Sequence, residues 1–110
     1  MKLRNILDSI VKRSSSSKKL SFQFSSDIPE VIEEEVIYII GEKKFYWMAL
    51  FYCPCGCKEV IKLNLLKEAS PQWQFFIKWG RITFHPSIWR KVGCKSHFHV
   101  KKGNIKWSYV

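Results

Sequence analysis

Val36-Ile37-Tyr38-Ile39-Ile40-Gly41-Glu42-Lys43-Lys44-Phe45-Tyr46-Trp47-Met48-Ala49-Leu50-Phe51-Tyr52 is the stretch that decides the fold. β-Branched and aromatic residues fit a pleated, half-buried surface, and a glycine followed by two lysines breaks the run into two arms, so it predicts a hairpin. Downstream, Ile61, Leu63 and Leu65 alternate with Lys62 and Asn64, giving a third arm over Val60–Leu66 that pairs with Phe45–Tyr52. Cys53-Pro54-Cys55-Gly56-Cys57 lies at the tip of that second hairpin.

The same logic extends in both directions. Leu20, Phe22 and Phe24 alternate as in a half-buried strand, and Trp73–Trp79 with Arg81–Phe84 flank Gly80 as a further strand pair. Phe98–Lys101 and Ile105–Tyr109 flank Lys102-Gly103-Asn104, where glycine supplies the positive φ of a tight hairpin turn. The expected fold is therefore mostly β, a small antiparallel sheet domain built of hairpins over residues 20–110. Residues 1–19 are set apart: Leu3, Ile6, Leu7, Ile10 and Val11 trace one face of a short amphipathic helix, followed by the polar linker Ser14–Lys19. At 110 residues the chain has room for one core.

Charge is unevenly spread. Residues 21–42 carry six carboxylates and no base, whereas from Lys43 onward thirteen basic residues face only Glu59 and Glu68, a local net charge of +11. Such a surface attracts acidic proteins or nucleic acid. The longest apolar run, Phe45–Cys53, is far short of the ~20 residues of a spanning helix, so no membrane span is expected. Lys2, Arg4, Asp8 and Lys12 interrupt any signal-peptide core, and four cysteines without an export signal suit the reducing cytoplasm.

Two clusters carry chemistry: the cysteine run at 53–57, and Cys94-Lys95-Ser96-His97-Phe98-His99. Thiolate and imidazole are the preferred zinc donors, and a closed structural site takes four of them. The candidates are Cys53, Cys55, Cys57, Cys94 and His97, for one zinc ion that staples two hairpins together. Cys94 and His97 have C-x-x-H spacing; which two of Cys53, Cys55 and Cys57 complete the set is left open by the spacing, and His99 is left out. Glu59 is the one candidate for a general base beside a catalytic zinc, although a solvated charge at a strand start accounts for it as well. Ser96 is not a nucleophile for His97, because neighbours on a strand point to opposite faces. The residues thus favour a binding module over an enzyme.

Cys53-Pro54-Cys55-Gly56-Cys57, Pro71, Trp73, Gly80-Arg81-Ile82-Thr83-Phe84-His85-Pro86-Ser87-Ile88, Cys94-Lys95-Ser96-His97-Phe98, Gly103 and Trp107, in that order, resemble a family of small bacterial proteins predicted to bind metal. Some of its members are encoded beside ubiquitin-like conjugation genes. The resemblance implies a cytoplasmic, zinc-dependent accessory protein with components of such a system as partners. It also lends importance to Pro86, Ser87 and Ile88. Alternatives in other classes are a nucleic-acid-binding zinc domain, suggested by Lys78-Trp79-Gly80-Arg81 and Trp89-Arg90-Lys91, and a metal-dependent peptide or isopeptide hydrolase using Glu59.

Overall fold

The computed structural model describes residues 19–108, and nine strands make up all of their regular structure. They are β1 (Ser21–Ser25), β2 (Val36–Glu42), β3 (Phe45–Tyr52), β4 (Val60–Asn64), β5 (Gln74–Lys78), β6 (Arg81–His85), β7 (Ile88–Trp89), β8 (His97–Lys101) and β9 (Asn104–Trp107). Among the described residues there is no helix, so the expected β class is what forms; the amphipathic segment 1–13 lies outside them.

The strands make a four-stranded sheet in the order β1-β2-β3-β4, the ribbon β5-β6, and a three-stranded sheet β7-β8-β9. Every pair is antiparallel except β1 with β2, which run parallel, a departure from the all-hairpin expectation. The chain bridges the parallel pair through the acidic segment 26–35, too long for a hairpin turn.

Alternation along β2 and β3 explains the layering. Ile37, Ile39, Ala49 and Phe51 point one way into the main core, while Tyr38, Ile40 and Leu50 point the other way into a smaller cluster with Ile32, Val36 and Trp47. The main core lies between this sheet and the strands β6, β8 and β9, which contribute Ile82, Phe84, Phe98, Val100 and Ile105. Phe51 sits at its centre with its ring centroid 6.4 Å from those of both Phe84 and Phe98. Each such fully buried side chain stabilises the fold by about 1.5–3 kcal/mol.

Two backbone details hold the layers in register. The β2–β3 ladder shifts at Gly41, where a side chain would collide with the Phe45 carbonyl and the Tyr46 backbone, so only glycine admits that approach. At the β8–β9 turn, Lys102 and Gly103 take φ of 53° and 79°, the left-handed pair that a two-residue hairpin demands. The Gly103 amide donates to the Ile82 carbonyl at 2.7 Å and the Lys102 amide to Thr83 Oγ1 at 2.9 Å, which fixes the β8–β9 hairpin to β6.

Candidate functional site

The cysteine run leaves β3 as a tight turn. The Cys53 amide donates to the Glu59 carbonyl at 2.8 Å and the Gly56 amide to the Cys53 carbonyl at 3.3 Å, folding Cys53, Cys55 and Cys57 back toward one point. Cys94 reaches the same point from the loop that joins β7 to β8. The four sulfurs all lie within 4.8 Å of one another, with Cys53 Sγ 3.4 Å from Cys55 Sγ and 3.6 Å from Cys94 Sγ. None is in a disulfide. A tetrahedron of thiolates about 2.3 Å from a central ion has sulfur–sulfur edges of about 3.8 Å, so the donor set fits a four-coordinate metal.

Electrostatics favour a cation there. Burial pushes the Cys53 thiol up to about 12, while hydrogen bonding from Ser96 brings Cys94 down to about 6. Four thiols this close cannot ionise together without a compensating charge. Part of that charge is already present: Arg90 Nη1 lies 3.9 Å from Cys94 Sγ, and Nη2 donates to Glu59 Oε1 at 2.9 Å. Glu59, the candidate base, is thereby committed to an ion pair.

The structure brings all three cysteines of the first run to Cys94, where the sequence expected two. It does not bring His97 to them. His97 opens β8 directly opposite Trp89, and because Phe98 turns into the core, His97 faces the other way. There its Nε2 lies 3.0 Å from Ser87 Oγ. Trp89 stacks on the imidazole at 4.9 Å between centroids and 11° between planes, and the Lys91 ammonium lies 4.0 Å from the Trp89 ring centre. His97 Nδ1 is buried with no hydrogen-bond partner among the described residues.

Ser87 is held from behind, since Trp73 Nε1 donates to its carbonyl at 3.2 Å. His99 points to the same side of β8 as His97, but its Nε2 donates to the Phe84 carbonyl at 2.7 Å and ties β8 to β6. Ser87 is the residue that sequence reasoning missed as a partner of His97. It lies two residues before Trp89 and so diagonally across the ladder from His97, a relation visible only once the β7–β8 register is known.

A serine hydroxyl within hydrogen-bond reach of an imidazole nitrogen is the minimal apparatus for nucleophilic acyl transfer. No helix of the described residues is long and apolar enough to cross a membrane. Comparison with known proteins found no curated protein and no solved structure that matches this chain. A family model does match it, over residues 24–108, and its description is the bacterial ubiquitination-like system serine protease, BubE. That span contains every strand from β2 to β9, all four cysteines, Ser87 and His97, and the chain belongs to the BubE family.

Proposed function

We propose that this chain is a serine peptidase acting in a ubiquitin-like conjugation system of the bacterial cytoplasm, with Ser87 as nucleophile, His97 as general base, and the four cysteines holding one structural zinc ion. The observation that carries the reading is the 3.0 Å contact between Ser87 Oγ and His97 Nε2, half-buried on the face of the β7–β8 ladder turned from Phe98.

In the reaction, Ser87 Oγ attacks the carbonyl carbon of a peptide or isopeptide bond as its proton passes to His97 Nε2. The C–N bond then breaks, and the imidazolium returns the proton to the leaving amine. Water, deprotonated by the same nitrogen, cleaves the resulting Ser87 ester and leaves a free carboxylate. Nε2 accepts a proton only in the tautomer with hydrogen on Nδ1, and that nitrogen has no acceptor among the described residues. Nδ1 is unpartnered in either tautomer, as a buried donor in one and a buried acceptor in the other, each at a cost of about 1–3 kcal/mol, so its surroundings do not select the productive form. Among the described residues the site is accordingly a dyad rather than a triad. Trp89 takes over part of the absent acid's work: its stacked face fixes the ring plane and attracts the imidazolium, an interaction of about 0.5–1 kcal/mol.

Cys53, Cys55, Cys57 and Cys94 would hold the zinc ion, which would supply a structural cross-link between the β3–β4 turn and the β7–β8 loop. Cys94 sits in the loop joining the strand that follows Ser87 to the strand that begins with His97, so the link steadies the spacing of the dyad.

The test is covalent labelling by a fluorophosphonate, which reacts with activated serines. The wild-type protein should be modified at Ser87, with labelling lost in Ser87→Ala and strongly slowed in His97→Gln. Equal labelling of wild type and His97→Gln refutes the dyad.

A further inference from the structure

The hairpin β5–β6 projects a surface that the dyad does not use. Trp79 and Gly80 form its two-residue turn, and Trp79 is 88% exposed with φ of 56°, a left-handed conformation that disfavours any side chain with a Cβ. The register pairs Phe76 with Thr83 and Lys78 with Arg81, and since these residues alternate with Phe75, Ile77, Ile82 and Phe84, they share the face turned from the core. Phe76 is 56% exposed. The Lys102 amide bonds Thr83 Oγ1 and brings a third cation to the same face. Phe76, Lys78, Trp79, Arg81, Thr83 and Lys102 line a shallow cleft of about 500 Å³.

Among the described residues no carboxylate compensates its charge. Eight lysines and arginines follow Glu68 in the sequence and no aspartate or glutamate does. Among the described residues the one side-chain ion pair is Arg90 with Glu59, so Lys78, Arg81 and Lys102 have no internal carboxylate partner there. Exposed aromatic and cationic side chains around a depression are the composition of an interface centre waiting for an anionic, partly apolar surface. β6 leads from this tip toward Ser87, which follows Arg81 by six residues and Trp79 by eight and so lies at most roughly 20 Å from the one and roughly 27 Å from the other.

We propose that the outer face of the β5–β6 hairpin is an exosite for an acidic protein substrate, in which a patch of aspartate and glutamate side chains beside an apolar residue docks on Trp79, Phe76, Lys78, Arg81 and Lys102 while an extended segment of the same protein reaches Ser87. The inference rests on the peptidase reading for the direction of that segment. A protein is favoured over a nucleic acid because the surface runs on to a pair suited to acyl transfer.

Binding is measured on the full chain carrying Ser87→Ala, so that it does not depend on turnover. The probes are a labelled peptide alternating Asp or Glu with Leu or Phe, its Asn and Gln counterpart, and a single-stranded DNA of equal charge. The acidic peptide should bind best, lose affinity as salt is raised, and lose roughly tenfold or more in Trp79→Ala and in Arg81→Glu. Equal binding of the amide counterpart, or no loss in both variants, overturns the exosite. Tighter, Trp79-dependent binding of the DNA overturns it too and makes the face a nucleic-acid interface. Fluorophosphonate labelling of the chain with Ser87 intact judges the dyad separately: labelling there while the Ser87→Ala chain fails to bind the acidic peptide sinks the exosite alone, and binding by the Ser87→Ala chain without labelling of the intact one sinks the dyad alone.

Discussion

Removing a metal held by the four cysteines should strip this protein of a third or more of its stability. The cysteine centre joins segments 41 residues apart, Cys53 and Cys94. A cross-link closing a loop of that length withdraws chain entropy from the unfolded state worth about 4 kcal/mol on the loop-closure relation used for disulfides. Domains of this size are stable by only about 0.05–0.15 kcal/mol per residue, or roughly 5–13 kcal/mol over the described residues, so the link supplies a third or more of the total. At about 4–8 °C per kcal/mol, losing it lowers the melting temperature by roughly 15–30 °C. Paired thermal melts of the metal-loaded protein, the chelator-treated protein and Cys94→Ser, with metal content measured on each, read this directly. A full equivalent of metal in Cys94→Ser refutes the ligand set. A melting shift below ~5 °C with the metal demonstrably gone refutes the argument that the centre holds the fold together.

Two further substitutions separate the roles of neighbouring residues. Trp89→Leu should slow fluorophosphonate labelling of Ser87 by roughly three- to tenfold, and Trp89→Phe by less, because an aromatic face is worth about 0.5–1.5 kcal/mol beyond its area. Leucine performing as well as tryptophan would show that the stack on His97 is incidental. Arg90→Ala withdraws the guanidinium from Cys94 Sγ and from Glu59, and should speed metal loss to a competing chelator by roughly 10-fold or more, with Arg90→Lys intermediate. Unchanged release kinetics would reduce Arg90 to a surface ion pair.

Much of the sheet was legible because alternation reports burial directly. Phe45–Tyr52 is β3 as read, and Val60–Asn64 falls inside the expected arm. The cysteine cluster was legible because Pro54 and Gly56 mark a turn, and a turn gathers near neighbours. The parallel pairing of β1 with β2 was not, since parallel strands share no turn whose residues could announce them. Nor did the Lys43-Lys44 turn carry the usual signal: both residues take positive φ, 51° and 68°, without the glycine or asparagine that would normally permit it. His97 shows the deepest limit. C-x-x-H spacing suggests a shared metal only if the turn continues through the histidine, but the turn has ended by then and His97 is the first residue of β8. Once the segment is extended, Phe98 decides the matter, because sending its ring into the core turns the imidazole away from it.

Cys94 links the sulfur centre to the serine pair through one hairpin, β7–β8. Ser87 immediately precedes β7, His97 opens β8, and between the strands runs a seven-residue loop, Arg90–Ser96, whose Cys94 joins the metal donors. β7 has only two residues, and a ladder that short fixes the relative position of its strands weakly. What keeps Ser87 Oγ and His97 Nε2 at 3.0 Å must therefore come from outside the ladder. On one side Trp73 anchors the Ser87 carbonyl, and on the other the Arg90 amide closes on the Ser96 carbonyl at 2.7 Å while Cys94 pins the loop tip to the β3–β4 turn. Since no acid among the described residues stands behind His97, the proposed dyad would depend on these anchors for the geometry that a triad obtains from its third member. On the proposed reading, a metal held by the four cysteines would serve catalysis by position alone, with no bond to any reacting atom.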